Sequence, residues 1–303
     1  MKPQTIAYDD STALLESPVE LRAKAEIDGF LFFKNLLPTK PLLDLRREIL
    51  LILERRGLIE PGTPLMEARV VLEKVEKLEP FEGCSLEVYQ DIQRLESFHQ
   101  LAHHPELLRI YQSIFETPVF PHPRNIARVM FPGANARVTP PHQDFIHIQG
   151  TEDTWTAWFP LADCPVELGG LSMLKGSHKE GVVAVTAAEG AGGLESILCE
   201  NDYQWLIHDF EIGDVITFPS TTIHKSLPNQ MGNITRLSCD FRYQSVHQPI
   251  EEKSLLPHTC GLTWDDIYQE WQNQNLQYYW RDEKLQFSAW DESIRWQKER
   301  ICD

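Results

Sequence analysis

The most constraining feature of the chain is its middle third. From Asn125 onward, short apolar runs recur between Gly, Pro and Asn residues: Ile126–Phe131, Asp144–Ile148, Trp155–Leu161, Gly170–Leu174, Val182–Val185, Val215–Phe218 and Thr235–Tyr243. Runs of this length, punctuated by turn formers, predict an all-β sandwich or barrel rather than alternating βαβ units. The last run alternates strictly: Arg236, Ser238, Asp240 and Arg242 share one face, and Leu237, Cys239, Phe241 and Tyr243 the other. On its own that alternation is also what a half-exposed strand with a polar outer face would show.

The flanks read differently. Ser17-Pro18-Val19-Glu20 predicts a capped helix start ending at Gly29, followed by a short buried strand, Phe30–Phe33. Leu42, Leu45, Ile49 and Leu53 form one stripe of a helix over about Pro41–Arg56, with helical pieces near Leu86–Phe98 and Pro105–Ile114. The C-terminal fifty residues are expected to be helical, with Thr263 as cap and Trp264, Tyr268 and Trp271 on one face. Packing against the β core is the ordinary use of such aromatics, Trp280, Trp290 and Trp296 included. The expected organisation is one domain over 1–303: a mostly helical part at 1–124, a β core at 125–249 and an aromatic-rich helical extension at 250–303.

Charge and cysteines limit the function. A net charge of −17 argues against nucleic acid and weighs against polyanionic substrates that meet no local basic patch. The six cysteines follow neither zinc nor disulfide spacing, and no run matches a membrane span or a secretory signal, so a cytoplasmic protein is expected.

Thr139-Pro140-Pro141-His142-Gln143-Asp144 carries the chemistry. The prolines favour an extended entry, and on a strand His142 and Asp144 would point to one face. His224, after the turn and strand Gly213–Pro219, completes two histidines and one carboxylate, the donor set of a non-haem iron(II) oxygenase. Arg236 with Ser238 would suit a carboxylate, by two parallel charge-assisted bonds. In a regular strand His147 would face away from Asp144; His178 reads as turn stabilisation, and His99 with His103 as a solvated helix face.

His142-Gln143-Asp144, Trp158, Gly169-Gly170-Leu171, Gly176-Ser177-His178, His224 and Arg236 together resemble the phytanoyl-CoA dioxygenase family, over about residues 20–245. The resemblance implies a double-stranded β-helix, a cupin-like jelly roll wrapped by N- and C-terminal helices. It implies iron(II) on His142, Asp144 and His224, and 2-oxoglutarate held by Arg236 and Ser238, with Trp158, Asn125 and Arg128 also lining the co-substrate pocket. The expected reaction is hydroxylation of an unactivated C–H bond of a small metabolite or natural-product intermediate, consuming O2 and releasing succinate and CO2. Relatives that halogenate lack the carboxylate ligand, so Asp144 argues for hydroxylation. A cupin-like metal protein or isomerase without 2-oxoglutarate, and a non-catalytic relative, are the alternatives; a monomer or a homodimer would serve.

Overall fold

The structure, a computed structural model, describes residues 7–79, 81, 83–133, 138–198 and 204–295. Trp296, Cys199 and Cys302 lie outside the described residues. In chain order, helix α1 (Pro18–Asp28), strand β1 (Leu31–Phe33) and helix α2 (Thr39–Arg55) come first. Helices α3 (Leu72–Val75), α4 (Leu86–Gln93), α5 (Glu96–Leu101) and α6 (Pro105–Phe115) complete the N-terminal part. Strands β2 (Val119–Pro121) and β3 (Ile126–Met130) lead into helix α7 (Phe145–Ile148). Then come β4 (Trp155–Pro160), β5 (Leu171–Leu174), β6 (Val185–Ala187), β7 (Leu194–Ser196), β8 (Trp205–Leu206), β9 (Val215–Pro219), β10 (His224–Ser226) and β11 (Arg236–Ser245).

Two antiparallel sheets form the jelly roll. The larger runs β1-β9-β4-β11, with β2 and β3 sharing the far edge of the long strand β11; the smaller runs β10-β5-β8. Alternation along the strands explains how both faces of the large sheet are buried. Leu31, Phe33, Ala127, Val129, Trp155, Ala157, Phe159, Leu237, Cys239, Phe241 and Tyr243 meet the helices, whose contribution includes Leu42, Leu45, Ile49 and Leu53 of α2. Phe30, Phe32, Trp158, Ile216 and Phe218 point the other way and pack with Leu171, Met173 and Leu206 of the smaller sheet. Truncating any one of the fully buried leucines of α2 to alanine would cost ~2–5 kcal/mol.

The helix ends follow their sequences in part. Gly29 ends α1 in the left-handed region at φ 75°, as a C-terminal glycine should. A Cβ there would also lie 2.2 Å from His178 Nδ1, so only glycine fits. His178 donates from Nε2 to the Glu26 carbonyl at 3.0 Å, tying the turn after β5 to α1. Ser17 does not cap with its side chain; its carbonyl accepts the Leu21 N–H instead. The helix expected over Leu86–Phe98 breaks into α4 and α5 around Arg94-Leu95.

Two expectations need correcting. Asp144–Ile148 is not a strand but the single turn α7, with the His147 and Ile148 N–H groups donating to the Asp144 carbonyl. A short apolar run fits a buried helical turn as well as a strand, and periodicity cannot separate them. The C-terminal part is mostly turns and short 3-10 segments: among the described residues its α-helices are α8 (Trp264–Tyr268) and α9 (Glu292–Arg295), with the two-residue strands β12 (Ile250–Glu251) and β13 (Phe287–Ser288). Thr263 does cap α8, in a reciprocal pair with Asp266. Trp264, Tyr268, Trp271 and Trp280 pack together with Phe120 and Ile250, and Trp271 donates its indole N–H to the Arg94 carbonyl at 2.9 Å. Tertiary packing, not helix length, holds this segment down. It reaches back to the β core, where Gln149 just after α7 exchanges two hydrogen bonds with the Asp291 backbone, at 2.7 and 2.8 Å. None of the described helices is long and apolar enough to cross a membrane.

Candidate metal and co-substrate site

His142 and His224 are brought together by backbone. They form an isolated antiparallel bridge in which each N–H donates to the other's carbonyl, at 2.9 and 3.0 Å. Their rings then lie 4.2 Å apart, centroid to centroid. Both rings are also oriented. His142 Nδ1 lies 2.8 Å from the Pro140 carbonyl and His224 Nδ1 3.0 Å from the Thr222 carbonyl. A carbonyl only accepts, so each Nδ1 carries the proton and each Nε2 turns a lone pair inward. His142 pairs as a strand residue would, through its bridge to His224. Asp144 then takes the right-handed helical conformation at the head of α7, so the triad is built by a bridge followed by a turn and not by a regular strand.

Asp144 completes the cluster. Its Oδ1 is 3.7 Å from His142 Nε2 and 4.0 Å from His224 Nε2. The three donor atoms lie within 4.8 Å of one another, all on buried residues, and can surround one ion. The other carboxylate oxygen accepts from the Thr156 hydroxyl at 2.6 Å, and Arg242 Nη2 approaches Oδ1 at 3.3 Å. Burial alone would push the Asp144 carboxyl up; Arg242 and the two imidazoles overcome this and hold it well below the usual range. Burial, with His142 alongside, drives His224 down to about 3, which keeps its imidazole neutral for ligation. Gln143, fully buried between the ligands, donates to the carbonyls of Gly181 and Thr221 and accepts from the Val183 N–H. It fixes the segment carrying His142 and Asp144 to the loop at Gly181–Val183 and to the turn at Thr221 between β9 and β10.

A cavity opens beside the triad, lined by His142, His224, Trp158, Leu171, Ser226 and Arg236. Arg236 is 2% exposed and lies 5.5 Å above the Trp158 ring. Among the described residues its Nε and Nη1 meet no acceptor, and the Ser238 hydroxyl has no partner. Burial lowers the guanidinium to about 10, which leaves it charged at neutral pH. A buried cation with unmet donors is costly unless an anion completes it. The face shared by Arg236, Ser238, Asp240 and Arg242 turns inward, with all but the half-buried Asp240 fully buried, which removes the polar-outer-face reading.

Arg128, two rungs along β3 on that inner face, sits opposite Ser238 with Nη2 3.7 Å from Asp240. Asn125 is not there. Alternation places it with Ala127 and Val129 toward the helices, where its amide meets His99 Nδ1 at 3.2 Å. The same His99 donates from Nε2 to the Gln93 carbonyl at 2.9 Å, so its ring is a buried structural link and not a solvated one. His147, carried round by the α7 turn, does not face away; its ring lies 5.8 Å from that of His142. Thr156, Gln143 and Arg242 were not singled out from sequence. Thr156 lies two residues before Trp158 and Arg242 two after Asp240, so the period-2 pattern carried both.

A buried two-histidine, one-carboxylate cluster in a jelly roll, beside a cavity with a buried arginine, defines a mononuclear non-haem metal oxygenase. The comparisons agree. The chain belongs to the phytanoyl-CoA dioxygenase (PhyH) family, whose model matches residues 25–236. It is 27% identical to a 1-deoxypentalenic acid 11-beta-hydroxylase of Streptomyces exfoliatus over 263 residues, 82% of this chain and 89% of that one. The enzyme of the same name from Streptomyces arenae is 28% identical, with the same coverage of each chain. The fold matches the non-heme alpha-ketoglutarate-dependent carbocyclase SnoK of nogalamycin biosynthesis at a TM-score of 0.53 and 20% identity, covering 80% of this chain and 89% of that one. With the family established and the triad in place, the chain is an iron- and 2-oxoglutarate-dependent oxygenase.

Proposed function

We propose that this enzyme hydroxylates an unactivated C–H bond of a small metabolite or natural-product intermediate in the cytoplasm, as a monomer or a homodimer. His142, Asp144 and His224 hold iron(II). Arg236 grips the distal carboxylate of 2-oxoglutarate, with Ser238 as a further donor and Trp158 as the wall behind. When bound, iron with 2-oxoglutarate and O2 supplies the C–H-cleaving oxidant and releases succinate and CO2.

The protein's own contribution is position. Backbone carbonyls aim both imidazoles, while Thr156 and Arg242 fix the carboxylate rotamer before any metal arrives. Burial excludes water from Arg236, so its bonds to a carboxylate are made in a low-dielectric site. The single observation that carries the reading is the buried, unmet Arg236–Ser238 pair beside a complete triad. A cupin-like isomerase that makes no use of 2-oxoglutarate would have no need for that pair. The hydroxylase names of the two Streptomyces relatives support the substrate class.

The test is succinate release from 2-oxoglutarate, with and without a substrate library, in wild type and Asp144→Ala. The wild type is expected to form succinate, and the variant to lose hydroxylation entirely. Undiminished substrate-dependent succinate formation by the variant would overturn the assignment.

A further inference from the structure

Thr156 and Arg242 stand opposite each other in the pairing of β4 with β11, and both reach Asp144. They divide its carboxylate between them. The Thr156 hydroxyl donates to Oδ2 at 2.6 Å, and Arg242 Nη2 donates to Oδ1 at 3.3 Å. Oδ1 is also the oxygen that faces the imidazoles, 3.7 Å from His142 Nε2 and 4.0 Å from His224 Nε2. The neutral donor therefore takes one oxygen, and the cation takes the one that would meet the metal. This cation is fixed in place. Arg242 is 4% exposed, and its backbone is held between Thr156 of β4 and His122, whose N–H donates to the Arg242 carbonyl at 2.8 Å. Burial alone would lower its guanidinium; Asp144 and Asp240 outweigh that and hold it above its ordinary value, so it stays charged.

A neutral donor is enough to orient a carboxylate, as Thr156 shows on Oδ2. A cation on the metal-facing oxygen does more. It draws negative charge from the ligand, and it repels a trivalent ion by one unit of charge more than a divalent one. In a buried site salt screens little of that difference. We propose that Arg242 is a positioning residue with a redox role: acting through Asp144, it biases the bound iron toward the ferrous state that an oxygenase needs before it meets O2. The inference rests on the oxygenase reading above and adds to it the means by which the site keeps its metal reduced. It does not depend on which substrate the enzyme takes, nor on what else surrounds Arg242, because the comparison below changes only the charge at that one position.

The test is a redox titration of the iron-loaded enzyme under argon, without 2-oxoglutarate, read by the ferric electron paramagnetic resonance signal. Each centre exchanges one electron with a mediator dye, ferrous iron becoming ferric, and no atom is transferred. Wild type, Arg242→Gln and Arg242→Lys are compared. The bound ion itself offsets Asp144 in the glutamine variant, so no buried carboxylate is left uncompensated there. Arg242→Gln is expected to shift the equilibrium about tenfold or more toward the ferric form, which lowers the midpoint potential by at least about 59 mV. Arg242→Lys, which keeps the charge and gives up the fork, is expected to stay closer to wild type than to Arg242→Gln. If Arg242→Gln does not fold, Arg242→Met carries the same expectation. An equal or higher potential in the neutral variant overturns the proposal. So does an Arg242→Lys value as low as that of the neutral variant, because geometry and not charge then sets the potential. Both of these leave the oxygenase reading intact. A folded wild type that binds no iron(II) overturns that reading and this proposal with it.

Discussion

His142 and His224 are each other's backbone partners: the N–H of each donates to the carbonyl of the other, at 2.9 and 3.0 Å. Two proposed ligands far apart in sequence are thereby set side by side by main chain alone, whatever their side chains do. Asp144, the third proposed ligand, lacks that support and depends on side chains. Thr156→Val, which keeps the shape and removes the hydroxyl on Asp144, is therefore expected to weaken iron(II) binding by ~10-fold or more, in the range seen for groups that orient metal ligands. Thermal stability should change little. Metal affinity equal to wild type, measured by competition with a chelating dye, contradicts this role for Thr156.

Arg236 carries a cost in the ligand-free protein, because its charge is buried and two of its nitrogens meet no acceptor among the described residues. Arg236→Met should leave the melting temperature of the ligand-free protein unchanged or higher. The same substitution should abolish the rise in melting temperature that 2-oxoglutarate gives the wild type. A variant that melts lower and still responds to 2-oxoglutarate contradicts both statements.

Acid should destabilise the metal-free protein early. Burial lowers His99 to about 4 and His122 and His224 to about 3, from the ordinary 6.5. Between those values the unfolded chain binds protons that the folded chain refuses, so stability rises with pH. It is complete above about pH 6.5 and is lost progressively toward pH 3 to 4. Each such group contributes a slope of about 1.4 kcal/mol per pH unit inside its window. Urea unfolding at pH 7, 6 and 5 measures the slope, and equal midpoints at all three contradict it.

Gly29→Ala tests the joint between α1 and the sheet. The residue stands at φ 75° with His178 against it, so a methyl group meets both backbone strain and a ring. The expected loss is more than ~1 kcal/mol, the ordinary cost of forcing alanine into the left-handed region. A melting temperature equal to wild type contradicts the close packing.

Much of the fold and site was legible because it follows a period of two. The alternation in Arg236–Tyr243 put Arg236 and Ser238 on one face and Leu237 and Phe241 on the other, and the structure keeps that division; that the polar face turns inward came from the family resemblance and not from the pattern, which a half-exposed strand would also show. The same rule, carried back along β3, separates Asn125 from Arg128, so Asn125 could not share the pocket with it. Asp144 was harder. Phe145-Ile146-His147-Ile148 is rich in strand formers, and only its tertiary setting turns it into one helical turn, with the Phe145 N–H donating to the Ser220 carbonyl. The C-terminal aromatics were legible as packing residues but not as turns, because their order comes from contacts with Phe120, Ile250 and the Arg94 carbonyl.

The central claim is that one chain binds iron(II) and 2-oxoglutarate together at His142, Asp144, His224 and Arg236. Anaerobic titration of both into the metal-free protein, followed by visible absorption, tests it most directly. The account predicts the weak charge-transfer band of their chelate in the wild type, its loss in His224→Ala and a weaker, right-shifted titration in Arg236→Ala. Folded, iron-loaded wild type that shows no band at saturating 2-oxoglutarate would contradict it.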